Sequence, residues 1–220
     1  MSLTPPHGFE VAYRISVVGP GEREIGFERM YAEAGADLRA VPWAALSPHR
    51  ALVDWLDRQA APCDQGALVV GCGFGDDAEE LAGRGYAVTA FDVAPTAIAR
   101  CRQRFPGSSV DYVVADLFAL PAAWLGRFDL VVEIRTLQSL PLSRRREAAC
   151  AIAGTVGPEG RLWLRCLGRE DDAPVSRPPW PVSRQELDDF ARCGLRELRF
   201  LAEPVAPDQS TSFTVLYTRD

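Results

Sequence analysis

One short turn, Gly71-Cys72-Gly73-Phe74-Gly75, has the composition of a ligand-binding loop. It follows an apolar run at 67–70 and precedes helically spaced apolar residues at 78, 81 and 82. Glycine is needed in such a turn because a side chain would block close approach of a ligand to the backbone. A second apolar run, 86–91, ends on Asp92, where a carboxylate can accept hydrogen bonds from both hydroxyls of a ribose. This order of strand, glycine turn, helix, strand and acid predicts a nucleotide-binding βαβ unit.

The spacing of the glycines departs from that of a dinucleotide site. Such a site uses G-x-G-x-x-G, in which the helix start holds a pyrophosphate. Here the pattern is G-x-G-x-G, followed by Asp76 and Asp77. Two carboxylates would repel a pyrophosphate and would suit a cationic ligand without phosphate. S-adenosylmethionine (SAM), with its sulfonium and amino groups, is such a ligand.

Four segments carry a family resemblance: GCGFGDD, AFDVAPTAI, VVADLFALP and FDLVVEIRTLQSLP. They resemble the motifs of class I SAM-dependent methyltransferases, above all the small-molecule branch that includes thiopurine and thiol methyltransferases. The resemblance covers residues 43–187. It implies SAM as the cofactor, a small molecule as the methyl acceptor, and an N-terminal region that folds over the cofactor.

The resemblance also implies roles for individual residues. Asp92 would bind the ribose, Asp116 would accept the adenine amine, Leu117 would pack on the adenine ring, and Trp43 would cover the cofactor. For Trp43 the alternative is core packing, and for Asp116 it is an ordinary wet strand end. The full predicted cofactor site comprises Gly71, Cys72, Gly73, Gly75, Asp77, Asp92, Val93, Asp116, Leu117, Glu133 and Trp43.

Two residues are candidates for catalysis. Glu133 stands in the apolar run 128–134, where a carboxylate is costly unless it faces a site or pairs with a neighbour such as Arg135. His49 follows Pro48 at a predicted helix start and could act as a base near pH 7. The alternative for His49 is a helix cap or a packing residue.

The elements that position these residues predict a doubly wound α/β fold. We expect a Rossmann-like, seven-stranded, mostly parallel sheet with an antiparallel C-terminal strand, the last two strands being 195–203 and 212–218. The other predicted strands include 110–115, 128–134 and 161–167, and the helices include 95–104 and 143–156. A single domain spans 1–220, with an N-terminal cap over 1–62 and the core over 63–220.

The ends of the chain and the long loop are predicted less fully. Residues 9–17 alternate as a half-buried strand, and 22–30 form either a second strand or a helix. The loop 168–182 holds four prolines and Trp180, and it is placed to wall the substrate pocket. Ser183 and Glu186 match a capping box at the start of the next helix.

Composition limits the classes of function. The net charge of −6 and pI near 5.1 argue against a nucleic-acid substrate, and no apolar run is long enough to span a bilayer. The arginine run at 144–146 is expected to be a solvated helix face. The six cysteines lack metal-ligand spacing, so we expect no metal site, no disulfide and a cytoplasmic location. No secretory leader is apparent.

The predicted reaction is transfer of the SAM methyl group to an O, N or S atom of a small molecule. No obvious histidine or lysine base lies in the matching segments, which favours a thiol or another acidic acceptor. Two alternatives remain open: an NAD(P)-dependent oxidoreductase, and a SAM-binding regulatory protein without methyl transfer. The sequence leaves the oligomeric state open.

Overall fold

The computed structural model describes residues 20–175, 179–205 and 210–220. The strand expected at 9–17 therefore lies outside the described residues. The helical alternative for 22–30 is confirmed, since α1 runs from Pro20 to Ala34. The remaining helices are α2 (Arg50–Leu56), α3 (Asp76–Gly83), α4 (Pro95–Arg104), α5 (Leu142–Thr155) and α6 (Arg184–Arg192).

The strands form one mixed sheet. They are β1 (Gly66–Val70), β2 (Ala87–Asp92), β3 (Asp111–Val114), β4 (Phe128–Ile134), β5 (Val156–Arg169), β6 (Val182–Ser183), β7 (Arg196–Val205) and β8 (Ser210–Thr218). The order is β3-β2-β1-β4-β5-β8-β7, and β6 pairs with the end of β5. Strands β1 to β5 are parallel neighbours, and β8 is antiparallel to both β5 and β7. The predicted α/β architecture is confirmed.

Two details of the sheet differ from the prediction. The sheet has eight strands instead of seven, because Val182 and Ser183 pair with Gly168 and Arg169. Strand β5 is also longer than the predicted 161–167, since it begins at Val156 and passes through the expected turn. There the register against β4 shifts between Phe128 and Leu130. The predicted turn is therefore a β-bulge, and the chain stays paired with β4 on both sides of it.

Helices cover both faces of the sheet, as a doubly wound fold requires. On one face α5 and α6 pack through residues such as Ile152 and Phe190 against Leu164. On the other face α2, α3 and α4 pack through Leu52, Leu81 and Ile98 against Val69 and Trp163. This burial leaves the carboxyl ends of the parallel strands as the place where loops can hold a ligand.

The cysteine prediction was wrong in one respect. Cys150 of α5 and Cys193, which ends α6, form a disulfide that closes a sequence separation of 43 residues. Sequence spacing could not reveal the pair, because only the packing of α5 beside α6 brings the two thiols together. Cys63, Cys72, Cys101 and Cys166 are free.

The expectation for the arginine run was wrong at its middle position. Arg145 has only 2% of its side chain exposed and pairs with Glu186 at 2.6 Å. Its guanidinium also donates to the carbonyl oxygens of Leu140, Trp180 and Pro181. Arg169 binds the other oxygen of Glu186 at 2.9 Å. The arginine therefore ties α5 to the long loop and to the capping box of α6, which is confirmed at Ser183.

Candidate functional site

The glycine turn after β1 is closely packed. Gly71, Gly73 and Gly75 all have left-handed backbone angles, with φ of +61°, +53° and +88°. A Cβ atom at Gly71 would lie 2.4 Å from the Thr136 hydroxyl oxygen, so a side chain there would collide with the loop after β4. At Gly73 the one neighbour within 4 Å is the Tyr31 hydroxyl, at 3.4 Å. Gly73 is therefore the position where a ligand can approach the backbone.

Asp92 lies at the carboxyl end of β2 and holds this turn. Its Oδ2 atom accepts a hydrogen bond from the Gly73 N–H at 3.0 Å, and its Oδ1 atom accepts from the Ala94 N–H at 3.0 Å. Burial raises the pKa of Asp92 to about 6, against the opposing effect of these backbone donors. Each carboxylate oxygen retains a second acceptor site, which is the capacity that two ribose hydroxyls need.

The two acids at the start of α3 have different partners, which changes the charge argument. Arg104 of α4 forms a two-pronged ion pair with Asp76, at 2.8 and 2.7 Å, so the Asp76 charge is offset. Asp77 accepts the His49 backbone N–H at 2.7 Å. Burial raises the pKa of Asp77 to about 6. Asp77 is therefore the one of these two acids whose negative charge is not offset by an ion pair among the described residues.

An aromatic cluster from the N-terminal region lies on the glycine turn. The Trp43 indole N–H donates to the Tyr31 hydroxyl at 3.0 Å, and Tyr31 packs edge-on against Phe74 with ring centroids 5.2 Å apart. Glu28 of α1 also accepts hydrogen bonds from the backbone N–H and the hydroxyl of Thr96. Tyr31 could not be predicted as a site residue, because one aromatic residue outside any motif carries no distinguishing signal in the sequence.

Asp116 and Leu117 follow β3 at the same edge of the sheet. The Asp116 carboxylate accepts the Phe118 N–H at 2.9 Å and caps a short 3-10 helix, Leu117–Ala119. Leu117 is buried in the core beside Phe91 and Trp124. Asp116 is half-buried, and its other carboxylate oxygen accepts no hydrogen bond from the described residues. Val93 lies between Asp92 and Ala94 at the end of β2.

Glu133 lies beneath the loop after β4 instead of at its rim. Its side chain is 0% exposed, because it points toward the face covered by α5. Its Oε1 atom accepts the Leu137 N–H at 3.0 Å, while Oε2 has no partner among the described residues. Burial raises the pKa of Glu133 to about 7. No ion pair with Arg135 forms in the described part of the chain, and contact with an acceptor stays a prediction that this placement does not favour.

His49 caps α2, which confirms the structural alternative for this residue. Its Nδ1 atom accepts the Ala51 N–H at 3.2 Å, so Nε2 is the nitrogen left for other contacts. Burial, followed by the charges of Arg165 and Arg135, lowers the pKa of His49 to about 4. The imidazole is therefore neutral at pH 7. Its role as a base stays a prediction.

The long loop after β5 is fastened to the loop after β4. The Trp180 N–H donates to the Gln138 carbonyl at 2.8 Å, and the Gln138 side-chain oxygen accepts the Leu167 N–H at 2.6 Å. This places part of the loop beside the carboxyl ends of β4 and β5, next to the glycine turn. A separate cavity of about 370 Å³ lies at the opposite, amino-terminal end of the sheet, lined by residues that include Trp55, Gln65, Tyr86, Asp129 and Arg161.

The similarity to known protein families lies in the part of the chain that contains the glycine turn. Residues 67–160, from β1 into β5, match a family model described as "Methyltransferase domain". A ubiquinone biosynthesis O-methyltransferase from Azotobacter vinelandii is 35% identical over 134 residues, which are 60% of this chain and 56% of that protein. One from Xanthomonas axonopodis pv. citri is also 35% identical, over 61% of this chain and 55% of its own. The chain thus matches little more than half the length of these relatives.

Solved structures show the same fold. The N-methyltransferase NodS from Bradyrhizobium japonicum, in complex with S-adenosyl-L-homocysteine (SAH), is similar over 88% of this chain and 97% of its own, with a TM-score of 0.68 and 20% identity. A TehB-like SAM-dependent methyltransferase from Corynebacterium glutamicum is similar over 89% of this chain and 100% of its own, with a TM-score of 0.65 and 22% identity.

The sheet order and these matches agree. Residues 67–160 match a methyltransferase domain, and the described chain has the fold of solved SAM-dependent methyltransferases. The relatives named above are O-methyltransferases, so the resemblance to the thiopurine and thiol branch stays a prediction.

Proposed function

We propose that this chain transfers the methyl group of SAM to an O, N or S atom of a small molecule. The observation that carries the proposal is the cradle made by the glycine turn and the buried Asp92, in a chain that matches a methyltransferase domain over 67–160. SAM, when bound, supplies a methyl group already activated on a sulfonium. The protein must therefore align the acceptor and exclude water, which together dominate the rate of such a transfer.

The donor and acceptor groups of the site fit SAM. Gly73 leaves the backbone open apart from one hydroxyl group, and Asp92 lies within hydrogen-bond distance of that turn. We assign Gly71, Cys72, Gly73 and Gly75 to the turn that holds the amino-acid part of the cofactor. Asp77 lies at the start of α3, where its carboxylate suits an ammonium group.

The nucleoside would lie along the ends of β2 and β3. Asp92 and Val93 would hold the ribose, Asp116 would accept the adenine amine, and Leu117 would border the ring. The Trp43 and Tyr31 side chains would cover this region. Tyr31 packs against Phe74 of the turn, and Trp43 donates a hydrogen bond to the Tyr31 hydroxyl. Cover by the N-terminal region would exclude water from the transferring methyl group.

The relatives favour an oxygen acceptor among the three atoms. Both named curated relatives are O-methyltransferases of ubiquinone biosynthesis. NodS is an N-methyltransferase, so the fold alone leaves nitrogen possible as the acceptor atom. Glu133 and His49 are the candidate catalytic groups, with His49 the more accessible of the two.

The alternatives receive less support. An NAD(P) site would place a pyrophosphate beside Asp77, whose charge no described basic side chain neutralises by an ion pair. A regulatory protein that binds SAM without methyl transfer would not need the long loop that Trp180 fastens beside β4 and β5.

The location in the cell is a separate proposal. None of the helices in the described ranges is long and apolar enough to cross a membrane. We propose a cytoplasmic location. The Cys150–Cys193 bond weakens this proposal, because disulfides are rare in that compartment.

The test combines binding with turnover. We expect SAH and SAM, and not NAD, to raise the melting temperature and to bind by calorimetry. Transfer of labelled methyl from SAM should then be measured with a panel of phenols, amines and thiols, one reactive atom in each. NAD binding without SAH binding would overturn the proposal, and SAH binding without transfer to any class would favour the regulatory alternative.

A further inference from the structure

Positive charge gathers at the carboxyl ends of β4 and β5, in a chain whose net charge is −6. Arg135 directly follows β4, and its backbone N–H donates to the carbonyl oxygen of Arg165 in β5 at 2.9 Å. Arg165 lies two residues after Trp163 on the same strand, so both side chains point to one face. That face is the one where the Trp163 ring lies 6.5 Å from the His49 ring. The charges of Arg165 and Arg135 both act on the His49 ring, and the His49 backbone N–H binds Asp77, so the two arginines lie near the cap of α2 and the start of α3.

The backbone of Arg135 shows that its position is unusual. Its φ of +65° lies in the left-handed region, which is unfavourable for a residue with a side chain. Such conformations persist where the surrounding structure imposes them, and they cluster at functional sites. Here the conformation ends β4 and leaves the Arg135 side chain exposed at the strand end. A continued strand would instead have sent position 135 to the other face of the sheet.

The two arginines differ in their partners. Arg165 pairs with Glu203 at 2.9 Å and also donates to the Thr214 hydroxyl. Arg135 has no side-chain hydrogen bond or ion pair with any residue in the described ranges. Loss of hydration, and then the Arg165 charge, lower the pKa of Arg135. Among the described residues, the Arg135 guanidinium therefore keeps its hydrogen-bonding capacity for a ligand.

We propose that the methyl acceptor carries a carboxylate group, which Arg135 binds with support from Arg165. The proposal rests on the proposed methyltransferase function and adds the chemical class of its substrate. The cofactor residues occupy the ends of β1, β2 and β3, so the ends of β4 and β5 are left for the acceptor. A guanidinium matches a carboxylate with two parallel hydrogen bonds, which fixes both its position and its orientation. Binding there would place the rest of the acceptor between the cofactor and the loop that carries Trp180.

The test measures binding to the SAH complex, so it needs no turnover. The probes are three acids, each with its neutral methyl ester: 3,4-dihydroxybenzoate, 3-mercaptopropionate and 4-aminobenzoate. In at least one pair we expect the acid to bind at least tenfold more tightly than its ester. Arg135→Gln should remove this preference, and Arg135→Lys should restore part of it. No preference for the acid in any of the three pairs would overturn the proposal.

Two further variants sharpen the result. Glu203→Gln frees Arg165 from its ion pair, so the affinity for the acid should rise severalfold. Arg161→Gln, on the same strand but at the opposite end, is the matched control and should leave the acid preference unchanged. An equal loss in Arg161→Gln and Arg135→Gln would show a general charge effect and overturn the assignment.

SAH affinity separates this proposal from the proposed function. If the wild-type protein does not bind SAH, the methyltransferase function itself fails. If SAH binds with equal affinity to the wild type and to Arg135→Gln, but the acids show no preference, only the substrate class fails.

Discussion

The two halves of the sheet hold their polar groups in different ways. At the ends of β1 to β3, each site acid accepts a backbone N–H: Asp92 from Gly73, Asp77 from His49 and Asp116 from Phe118. At the ends of β4 and β5, one oxygen of Glu133 and the whole guanidinium of Arg135 lack partners among the described residues. The first half is prearranged by its own backbone. The second half presents groups that have no partner among the described residues.

Under the proposed function, this difference corresponds to the difference between a cofactor and an acceptor. A cofactor shared by a whole family can be recognised by backbone geometry, which tolerates changes of sequence. An acceptor that differs between members must be recognised by side chains, which can change singly. The residues 67–160 that match the family model include the three acids of the first half and also Glu133 and Arg135 of the second, while the long loop and α6 lie beyond them.

The largest effect we expect comes from the prearranged half. Asp92→Ala should lower SAH affinity at least tenfold, because two hydrogen bonds to an ionised carboxylate are lost and each contributes about 1.5–3 kcal/mol. The pKa of Asp92 is about 6, so wild-type affinity should also weaken as the pH falls below that value. Calorimetry with SAH at pH 8 and pH 5 measures both effects.

Asp129→Ala provides a matched control for that measurement. The Asp129 carboxylate accepts the Gly66 N–H at 2.7 Å, which makes it a similar bond at the opposite end of β1. Its loss should affect stability and leave SAH affinity unchanged. Unaltered affinity in Asp92→Ala would remove Asp92 from the cofactor site and would undo the contrast between the halves.

A second prediction concerns the residues that support the second half of the sheet, at the ends of β4 and β5. Arg145→Ala should lower the free energy of unfolding by about 3 kcal/mol, because it removes one partner of a buried ion pair. Urea unfolding measures this loss, and Arg146→Ala, an exposed neighbour on the same helix, should change stability by about 0.5 kcal/mol or less. SAH affinity should stay unchanged in both variants. A large loss of SAH affinity in Arg145→Ala would show that the two halves are energetically linked.

The sequence predicted the prearranged half well because its signals are local. The glycine turn, the acids at strand ends and the helix Pro95–Arg104 each depend on neighbours within a few residues. The capping box at Ser183, in the other half, is local in the same way. Contacts between segments that are distant in the sequence could not be predicted from such local signals. Burial of Arg145, the Cys150–Cys193 bond and the offset of Asp76 by Arg104 all depend on which helices pack together.

Glu133 shows the limit most clearly. Its position inside an apolar strand correctly marked it as unusual, but the face to which it points depends on register. Because Glu133 pairs with Val70 and Leu164, its side chain turns toward α5 and away from the cofactor edge. A strand buried on both faces gives no alternation from which that direction could be predicted.

The smallest effect we expect comes from ionisation of Glu133. Its folded pKa of about 7 lies above the value of 4.5 for a free side chain, so the folded protein favours the protonated form. The stability that Glu133 contributes is therefore complete below pH 4.5 and is lost as the pH rises to 7, by about 1.4 kcal/mol per pH unit. Glu133→Gln should flatten this slope, because glutamine keeps an oxygen for the Leu137 N–H and cannot ionise.

Unfolding free energies at pH 5, 6, 7 and 8 measure the slope, and Glu147→Gln on the exposed side of α5 is the control. Some slope should persist in Glu133→Gln, because Asp77 and Asp92 also have raised pKa values. SAH should suppress that residual slope if it binds the ionised form of Asp92, but it should leave the Glu133 contribution unchanged. If SAH removed the whole pH dependence of the wild type, Glu133 would belong with the cofactor site after all, and the division between the two halves would lie one strand further along the sheet.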